Sequence, residues 1–296
     1  MKNWLIFIKE RFEPLSHITM ILVFVSVHYL MAKKMSLIAI NQTDLIALFC
    51  AVTLFYFKLR LYDEVKDYEL DVVINKHRPL PRGLLKHSDM YKGMIFCILG
   101  ELTLFLASGT RAYFALLIAV LYSLLMYKEF FIRDLIRPHL TTYALTHTIV
   151  TSFLSLAIFS FLIDRSFLHV VTNKTFILFA FINWLLFNIF EFGRKTFSTI
   201  EERDNVDTYS SLFGRKGAAL LVISQRVLSA VLITFIPIFQ TKFIYITFTL
   251  LLLFLLVVSL RYIFIDRPAN AKLFRTMSSL YIVLFYLILI IAIIIG

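Results

Sequence analysis

The chain has 296 residues, of which 60% are hydrophobic, and its formal net charge at pH 7 is +11. Soluble domains contain about 45–50% apolar residues. The composition and the long apolar runs therefore exclude a soluble enzyme and indicate an integral membrane protein. The basic residues flank the apolar runs, which favours the membrane surface over nucleic acid as their anionic partner.

Apolar runs long enough to cross a bilayer occur nine times. They cover roughly residues 15–32, 44–60, 90–108, 112–127, 140–163, 175–192, 217–239, 243–265 and 278–295. Most of the 30 lysines and arginines lie in the N-terminal segment and in the long connections. The positive-inside rule therefore places the N-terminus and these connections on the cytoplasmic side, in a membrane of the bacterial inner-membrane type.

These features predict an all-α fold. We expect a polytopic membrane protein in which about nine transmembrane helices form a single bundle around a central cavity, with residues 1–296 as one domain. The histidines show no pairing at the spacing of metal ligands, so none of them is assigned to a metal. The sequence does not indicate the oligomeric state.

A dense polar block, residues 60–83, follows the second span. Its acidic residues are Asp63, Glu64, Asp67 and Asp71. If the preceding helix continues, these carboxylates crowd onto one side of it, and each like-charge pair costs roughly 0.2–0.5 kcal/mol. A cation is therefore expected there. Oxygen ligands without His or Cys favour Mg²⁺, which completes its shell with water and substrate phosphates.

Cationic residues follow the carboxylates within the same block, and Arg78 stands directly before Pro79. Carboxylates for a metal ion and cations for phosphate oxygens are the two halves of a diphosphate site. An alternative is that the block is only a solvated loop between two membrane helices. For Arg78, the alternative to phosphate binding is a plain ion pair with Asp71.

The order of residues in this block resembles the first signature of the UbiA-type intramembrane prenyltransferases. That signature is Asn-Asp-x-x-Asp-x-x-x-Asp followed by Arg-Pro-Leu-Pro-x-Gly. In this chain Asp63 takes the place of the Asn and Glu64 that of the first Asp, while the second part runs from Arg78 to Gly83. Both replacements keep an oxygen ligand. The resemblance implies that Asp63, Glu64, Asp67 and Asp71 hold Mg²⁺ and that Arg78 binds the diphosphate.

A second polar block, residues 191–214, follows the sixth span. UbiA-type enzymes usually carry Asp-x-x-x-Asp here, followed by a segment that leads with Thr and ends in Gly. If Thr208 and Gly214 are matched to that segment, Glu201 falls on the last Asp and Phe197 on the first. One carboxylate is therefore missing from its usual place.

Glu191 lies earlier on the same helix and is a candidate replacement for the missing carboxylate, with Glu202 and Asp204 as further candidates. Two interpretations of Glu191 remain open. In the first, Glu191 and Glu201 bind a second ion, while Arg194 and Lys195 contact the substrate. In the second, Glu191 forms salt bridges with Arg194 and Lys195 at i, i+3 and i+4. On the first reading the substrate-binding group is Arg78, Lys128, Glu191, Arg194, Lys195 and Glu201.

Lys128 follows the fourth span and resembles the family's lysine on the loop after that helix. We expect its ammonium group to contact phosphate. The alternative is a lysine that anchors the helix end at the membrane surface.

The resemblance implies a Mg²⁺-dependent enzyme that transfers an isoprenyl group from an isoprenyl diphosphate to a lipophilic acceptor of the aromatic or quinone type, within the membrane lipids. The expected catalytic set is Asp63, Glu64, Asp67, Asp71, Arg78 and Lys128. One alternative is a terpene cyclase of the same superfamily, which needs no separate acceptor. A membrane transporter is a further alternative, but the carboxylates lie at helix ends and not at mid-membrane.

Overall fold

The computed structural model describes residues 2–203 and 206–296. Every regular element in these two ranges is helical, and neither range contains a β-strand. The α-helices are α1 (Lys2–Phe7), α2 (Pro14–Lys34), α3 (Gln42–Lys66), α4 (Tyr68–Ile74), α5 (His87–Ser108), α6 (Thr110–Tyr127), α7 (Arg133–Ile136), α8 (Leu140–Thr148), α9 (Val150–Ile163), α10 (Phe167–Thr172), α11 (Lys174–Arg194), α12 (Tyr209–Ile233), α13 (Lys242–Phe264) and α14 (Pro268–Ile295).

Nine helical segments within the described ranges are long and apolar enough to cross a membrane. The fifth of them consists of α8 and α9 together. The predicted all-α fold class and its nine spans are thus confirmed. Buried apolar residues from all nine spans join in one contiguous core, which is why the helices form a single bundle.

Two of the spanning helices begin earlier than the apolar runs predict. Helix α12 begins at Tyr209, not near residue 217, because the Thr208 hydroxyl accepts a hydrogen bond from the Ser211 N–H at 2.9 Å and caps the helix. Helix α14 begins at Pro268, not near residue 278, with the proline in the first turn, where its missing N–H costs nothing. The first turns of both helices are polar and carry no apolar signal.

The fifth span is broken between Thr148 and Val150. Side chains satisfy the carbonyls around the break: Trp184 donates to the Leu145 oxygen at 2.9 Å, and Tyr122 donates to the Thr146 oxygen at 2.7 Å. Irregular backbone at membrane depth is tolerated only where such partners exist. The break therefore depends on contacts with the neighbouring helices α6 and α11.

Polar networks connect the spans inside the bundle. His28 accepts a hydrogen bond from Ser155 at 2.7 Å, Asn183 donates to the same hydroxyl oxygen at 2.9 Å, and Tyr286 donates to Asn183 at 2.8 Å. These residues lie on α2, α9, α11 and α14, so the network fixes four helices relative to one another. Between α3 and α5, which pack against each other, Lys58 forms a fully buried ion pair with Glu101.

Candidate functional site

The first polar block continues the direction of α3. The Asp67 N–H donates to the Asp63 carbonyl at 2.9 Å, and the Asp71 N–H donates to the Asp67 carbonyl at 2.9 Å. These hydrogen bonds between residues four apart continue the helical backbone from α3 into α4. Asp63, Asp67 and Asp71 therefore follow one another on one side of the chain, as the sequence predicts.

Asp63 and Asp67 are the accessible carboxylates of this block. The side chain of Asp63 is 44% exposed, and its nearest cation is the Lys66 ammonium at 3.7 Å. Asp67 is exposed as well. The protein around the Asp67 carboxylate removes part of its water shell and thereby raises its pKa, and the charges of Asp63 and Asp71 raise it further against the pull of Lys66 and Lys195. The two carboxylates thus form a negatively charged site that attracts cations.

Glu64 is held by arginines and turned into the protein. One of its oxygens accepts from Arg11 Nε at 2.5 Å and from Arg60 Nη2 at 3.0 Å. The other oxygen, Oε2, is buried without a hydrogen-bond partner in the part of the chain that the structure describes. The N-terminal segment is tied to the acidic block through this contact.

Asp71 is also engaged. Arg78 Nη1 lies 2.7 and 2.5 Å from its two oxygens, and the Asn75 amide donates to one of them at 2.8 Å. Only one nitrogen of the guanidinium takes part, since Nε and Nη2 donate no hydrogen bond within the described ranges. The segment that presents Arg78 closes on Gly83, whose φ of +76° suits glycine.

In the second polar block, Glu191 accepts from two cations at the end of α11. Arg194 Nε and Nη2 lie 2.5 and 3.0 Å from the two Glu191 oxygens, and Lys195 Nζ lies 3.2 Å from one of them. Helix α8 contacts both polar blocks: the Tyr143 hydroxyl accepts from Lys66 at 3.2 Å, and the Leu140 carbonyl accepts from the Tyr209 hydroxyl at 3.4 Å. The structure thus brings the two polar blocks together at one end of the bundle.

Glu201 is engaged on the other side of the second block. Arg275 Nη2 donates to it at 2.8 Å, and the Ser198 hydroxyl and N–H donate at 2.8 and 3.1 Å. These hydrogen bonds, that from Arg275 first, lower the pKa of Glu201 to about 2. The Phe197 backbone accepts from Tyr262 at 3.0 Å.

The remaining candidates of the second block are Glu202 and Asp204. Glu202 accepts from the Thr208 hydroxyl at 2.8 Å, whereas Asp204 lies outside the described residues. Gly214, matched to the end of the family segment, kinks α12 with φ of +66° and ψ of 166°, a conformation open to little except glycine.

Lys128 is exposed at the end of α6, and its ammonium lies 5.3 Å from the ring centroid of Tyr127. The next residue, Glu129, is buried and accepts from Arg137 Nε at 2.8 Å and from the Tyr143 hydroxyl at 3.1 Å. Lys66 donates to the same Tyr143 hydroxyl at 3.2 Å.

Sequence reasoning missed this chain of contacts from Lys66 through Tyr143 to Glu129 and Arg137. Its members lie on α3, α8 and the connection after α6, so only tertiary packing brings them together. The one local signal is a lysine inside an acidic stretch, Lys66, three residues after Asp63. Lys66 therefore lies beside the accessible carboxylates of Asp63 and Asp67.

No group of three or more His, Cys, Asp or Glu side chains stands ready to hold a metal ion within residues 2–203 and 206–296. Mg²⁺ does not need such a group, because it is usually bound through one or two carboxylates and completes its shell with water and substrate phosphates. Asp63 and Asp67 offer this donor set. To bind the ion, Glu64 and Asp71 would have to give up their contacts with arginine side chains.

No protein-family model matches the chain, and no curated protein matches it in sequence. Its fold is similar to that in the apo structure of a UbiA homolog from Aeropyrum pernix K1, with a TM-score of 0.61. The similarity covers 94% of this chain and 97% of the other, at 16% sequence identity. The protein therefore has the helical fold of that UbiA homolog over almost its whole length.

Proposed function

We propose that the protein is an intramembrane prenyltransferase that uses Mg²⁺ to transfer an isoprenyl group from an isoprenyl diphosphate to a lipophilic acceptor, of the aromatic or quinone type. The observation that carries the proposal is the meeting of two charged groups at one end of a UbiA-like bundle. Asp63 and Asp67 extend from α3, and Arg194 and Lys195 end α11. Carboxylates for a metal and cations for phosphate are the requirements of diphosphate binding.

In this proposal, Asp63 and Asp67 hold the ion, which supplies neutralisation of the diphosphate charge when it is bound. Arg78 uses the nitrogens that Asp71 leaves open, and Lys195 and Lys66 supply further positive charge to the diphosphate. These cations stabilise the leaving group as the bond to the isoprenyl carbon breaks. Contacts of Lys128, Glu191, Arg194 and Glu201 with the substrate, and a second ion on Glu191 or Glu201, belong to the same proposal.

The charged end of the bundle is proposed to face the cytoplasm, with the N-terminus. Asn3 donates to the Leu84 carbonyl at 2.9 Å and Arg82 donates to Glu10 at 2.9 Å, so the N-terminal segment lies against the first polar block. Both segments are rich in cations, as cytoplasmic segments are. A water-soluble diphosphate head and a membrane-soluble chain then reach the site from different phases.

The experiment is to incubate the purified protein with Mg²⁺ and a panel of isoprenyl diphosphates, with and without lipophilic acceptors. Diphosphate release and the lipid products are measured, the latter by mass spectrometry. We expect a prenylated product that requires both the acceptor and Mg²⁺ and disappears with EDTA. A hydrocarbon product formed without acceptor would identify a cyclase instead, and no consumption of any diphosphate would refute both activities.

A further inference from the structure

His147 presents an open lone pair near the charged end of the bundle. It lies in α8 directly before the break in the fifth span, and its Nδ1 is 2.7 Å from the Tyr143 carbonyl oxygen. A carbonyl oxygen only accepts hydrogen bonds, so Nδ1 carries the proton and, in the neutral ring, Nε2 is a bare acceptor. Nε2 is buried and has no partner within the described parts of the chain.

The position of the ring connects it to the proposed diphosphate site. The imidazole stacks on Tyr143, with 3.8 Å between ring centroids and 22° between the ring planes. The hydroxyl of Tyr143 contacts Lys66 and Glu129. Charged groups around the imidazole include Lys66 and Asp63 from α3 and Glu129 from the connection after α6.

We propose that Nε2 of His147 is the general base that removes the proton which the acceptor loses during prenyl transfer. This role rests on the proposed transferase function and adds a catalytic residue to it. An acceptor that is alkylated at an aromatic carbon or at a hydroxyl oxygen must give up one proton for each isoprenyl group that it gains. A neutral histidine with a free lone pair is suited to take that proton.

The step balances without any further reactant. The bond between the isoprenyl carbon and the diphosphate oxygen breaks, and its electron pair stays with the diphosphate. The acceptor atom forms a bond to that carbon. The proton on the acceptor atom passes to Nε2, which leaves an imidazolium that returns the proton to water. Nothing is oxidised or reduced.

Other bases near the ring are already engaged. Glu129 accepts from Arg137 and Tyr143, and the proposed function assigns Asp63 to Mg²⁺. Phe130 is a neighbour of the imidazole: the two rings stand edge to face with 5.9 Å between their centroids. The segment 129–131 has φ values of 50°, 56° and 58°, unusual for residues other than glycine. We expect this strained segment to shift when an acceptor enters.

The test compares His147→Gln with the matched control His139→Gln, which changes an exposed histidine in the connection before α8. We expect His147→Gln to lower the acceptor-dependent rate by roughly 10²–10⁴-fold. Binding of isoprenyl diphosphate and the thermal midpoint should change little. His147→Ala should regain activity when imidazole is added.

The outcomes separate the two proposals. Transfer by His147→Gln at the wild-type rate, or a failure of imidazole to restore activity to His147→Ala, would overturn the role of His147 without affecting the proposed transferase function. A wild type that consumes no isoprenyl diphosphate overturns both. Nitrogen-15 NMR of the histidines gives a measurement that needs no turnover: a neutral ring protonated at Nδ1 is expected for His147, and the opposite tautomer would overturn the proposal.

Discussion

The four carboxylates of the first polar block differ in what they contact. Asp63 and Asp67 are accessible and only weakly paired, whereas arginines already bind Glu64 and Asp71. An ion that enters the block therefore meets Asp63 and Asp67 first, without breaking a close ion pair. At the residue scale, this difference ranks the acidic residues by how directly they serve the proposed site.

Asp67→Asn tests the accessible carboxylate pair of Asp63 and Asp67. The pKa of Asp67 is raised because the protein around the carboxylate removes part of its water shell and because Asp63 and Asp71 carry like charges. Removing the charge should therefore leave the free energy of unfolding in detergent unchanged or raise it by up to about 0.5 kcal/mol. The Mg²⁺-dependent rate should fall at least about a hundredfold. Asp134→Asn, at an exposed aspartate in α7, is the control. Full activity of Asp67→Asn would remove this carboxylate from the metal site.

Arg78→Lys separates phosphate binding from the ion pair with Asp71. A lysine can keep a charge near Asp71 but cannot present two parallel donors to a phosphate. We expect the maximal rate to fall by roughly ten- to a thousandfold, or about 1.4–4 kcal/mol. The melting temperature should hardly change. A variant that loses stability in proportion to its activity would instead assign Arg78 a structural role.

At the scale of elements, the connection between α11 and α12 is anchored to α14 by Glu201. The Arg275 guanidinium and Ser198 hold its carboxylate and lower its pKa from 4.5 to about 2. The folded pKa is depressed, so the stabilisation is complete above about pH 4.5 and disappears as the pH falls toward 2.

Glu201→Gln should accordingly lower the unfolding free energy at pH 7 by about 0.2–1 kcal/mol, a range suited to a partly exposed ion pair. The difference from the wild type should shrink between pH 4.5 and 2. Thermal unfolding across this pH series measures it. Glu69→Gln, whose side chain is 81% exposed beside Arg133, should show almost no effect. An equal loss in both variants would mean that Glu201 does not anchor the connection.

The nine spans were predictable because each one is a long apolar run, and hydrophobicity alone identifies it. Two kinds of feature could not be predicted from hydrophobicity. The polar first turns of α12 and α14 are helical through capping by Thr208 and through Pro268, which an apolar run does not reveal. The break at residues 148–150 contains neither proline nor glycine, and depends on Trp184 and Tyr122 from other helices.

The site was predictable where its residues are close in sequence. The spacing of Asp63, Asp67 and Asp71 predicts their common side, and i, i+3 and i+4 spacing predicts the salt bridges of Glu191 as one of two readings. The contacts of Lys66 with Tyr143 and of Glu64 with Arg11 join residues that are far apart in the chain. Such pairs follow from packing and not from spacing. Metal binding at Glu191 and Glu201 stays a prediction.

At the scale of the whole molecule, the tight packing of α3 against α5 contains a buried charge pair. Glu101→Ala would leave the Lys58 ammonium unpaired, which should cost about 3–5 kcal/mol of unfolding free energy. Replacing both partners, as in Lys58→Met with Glu101→Met, should restore stability to near or above that of the wild type. Unfolding in detergent with denaturant measures both. A double variant as unstable as the single one would show that the pair itself holds the helices together.

The same pair has a consequence for how the chain is made. A lysine at the centre of a transmembrane helix costs about 2.5–3.5 kcal/mol on insertion into a bilayer; Lys58 lies in the second half of α3, and α3 is synthesised before the helix that carries Glu101. Helix α3 gains the counter-charge of Lys58 only when α5 is made. The two helices are separated by the connection 67–86, which bears most of the first polar block. Insertion of α3 and α5 together as a hairpin would pair the two charges and leave that connection on one side of the membrane.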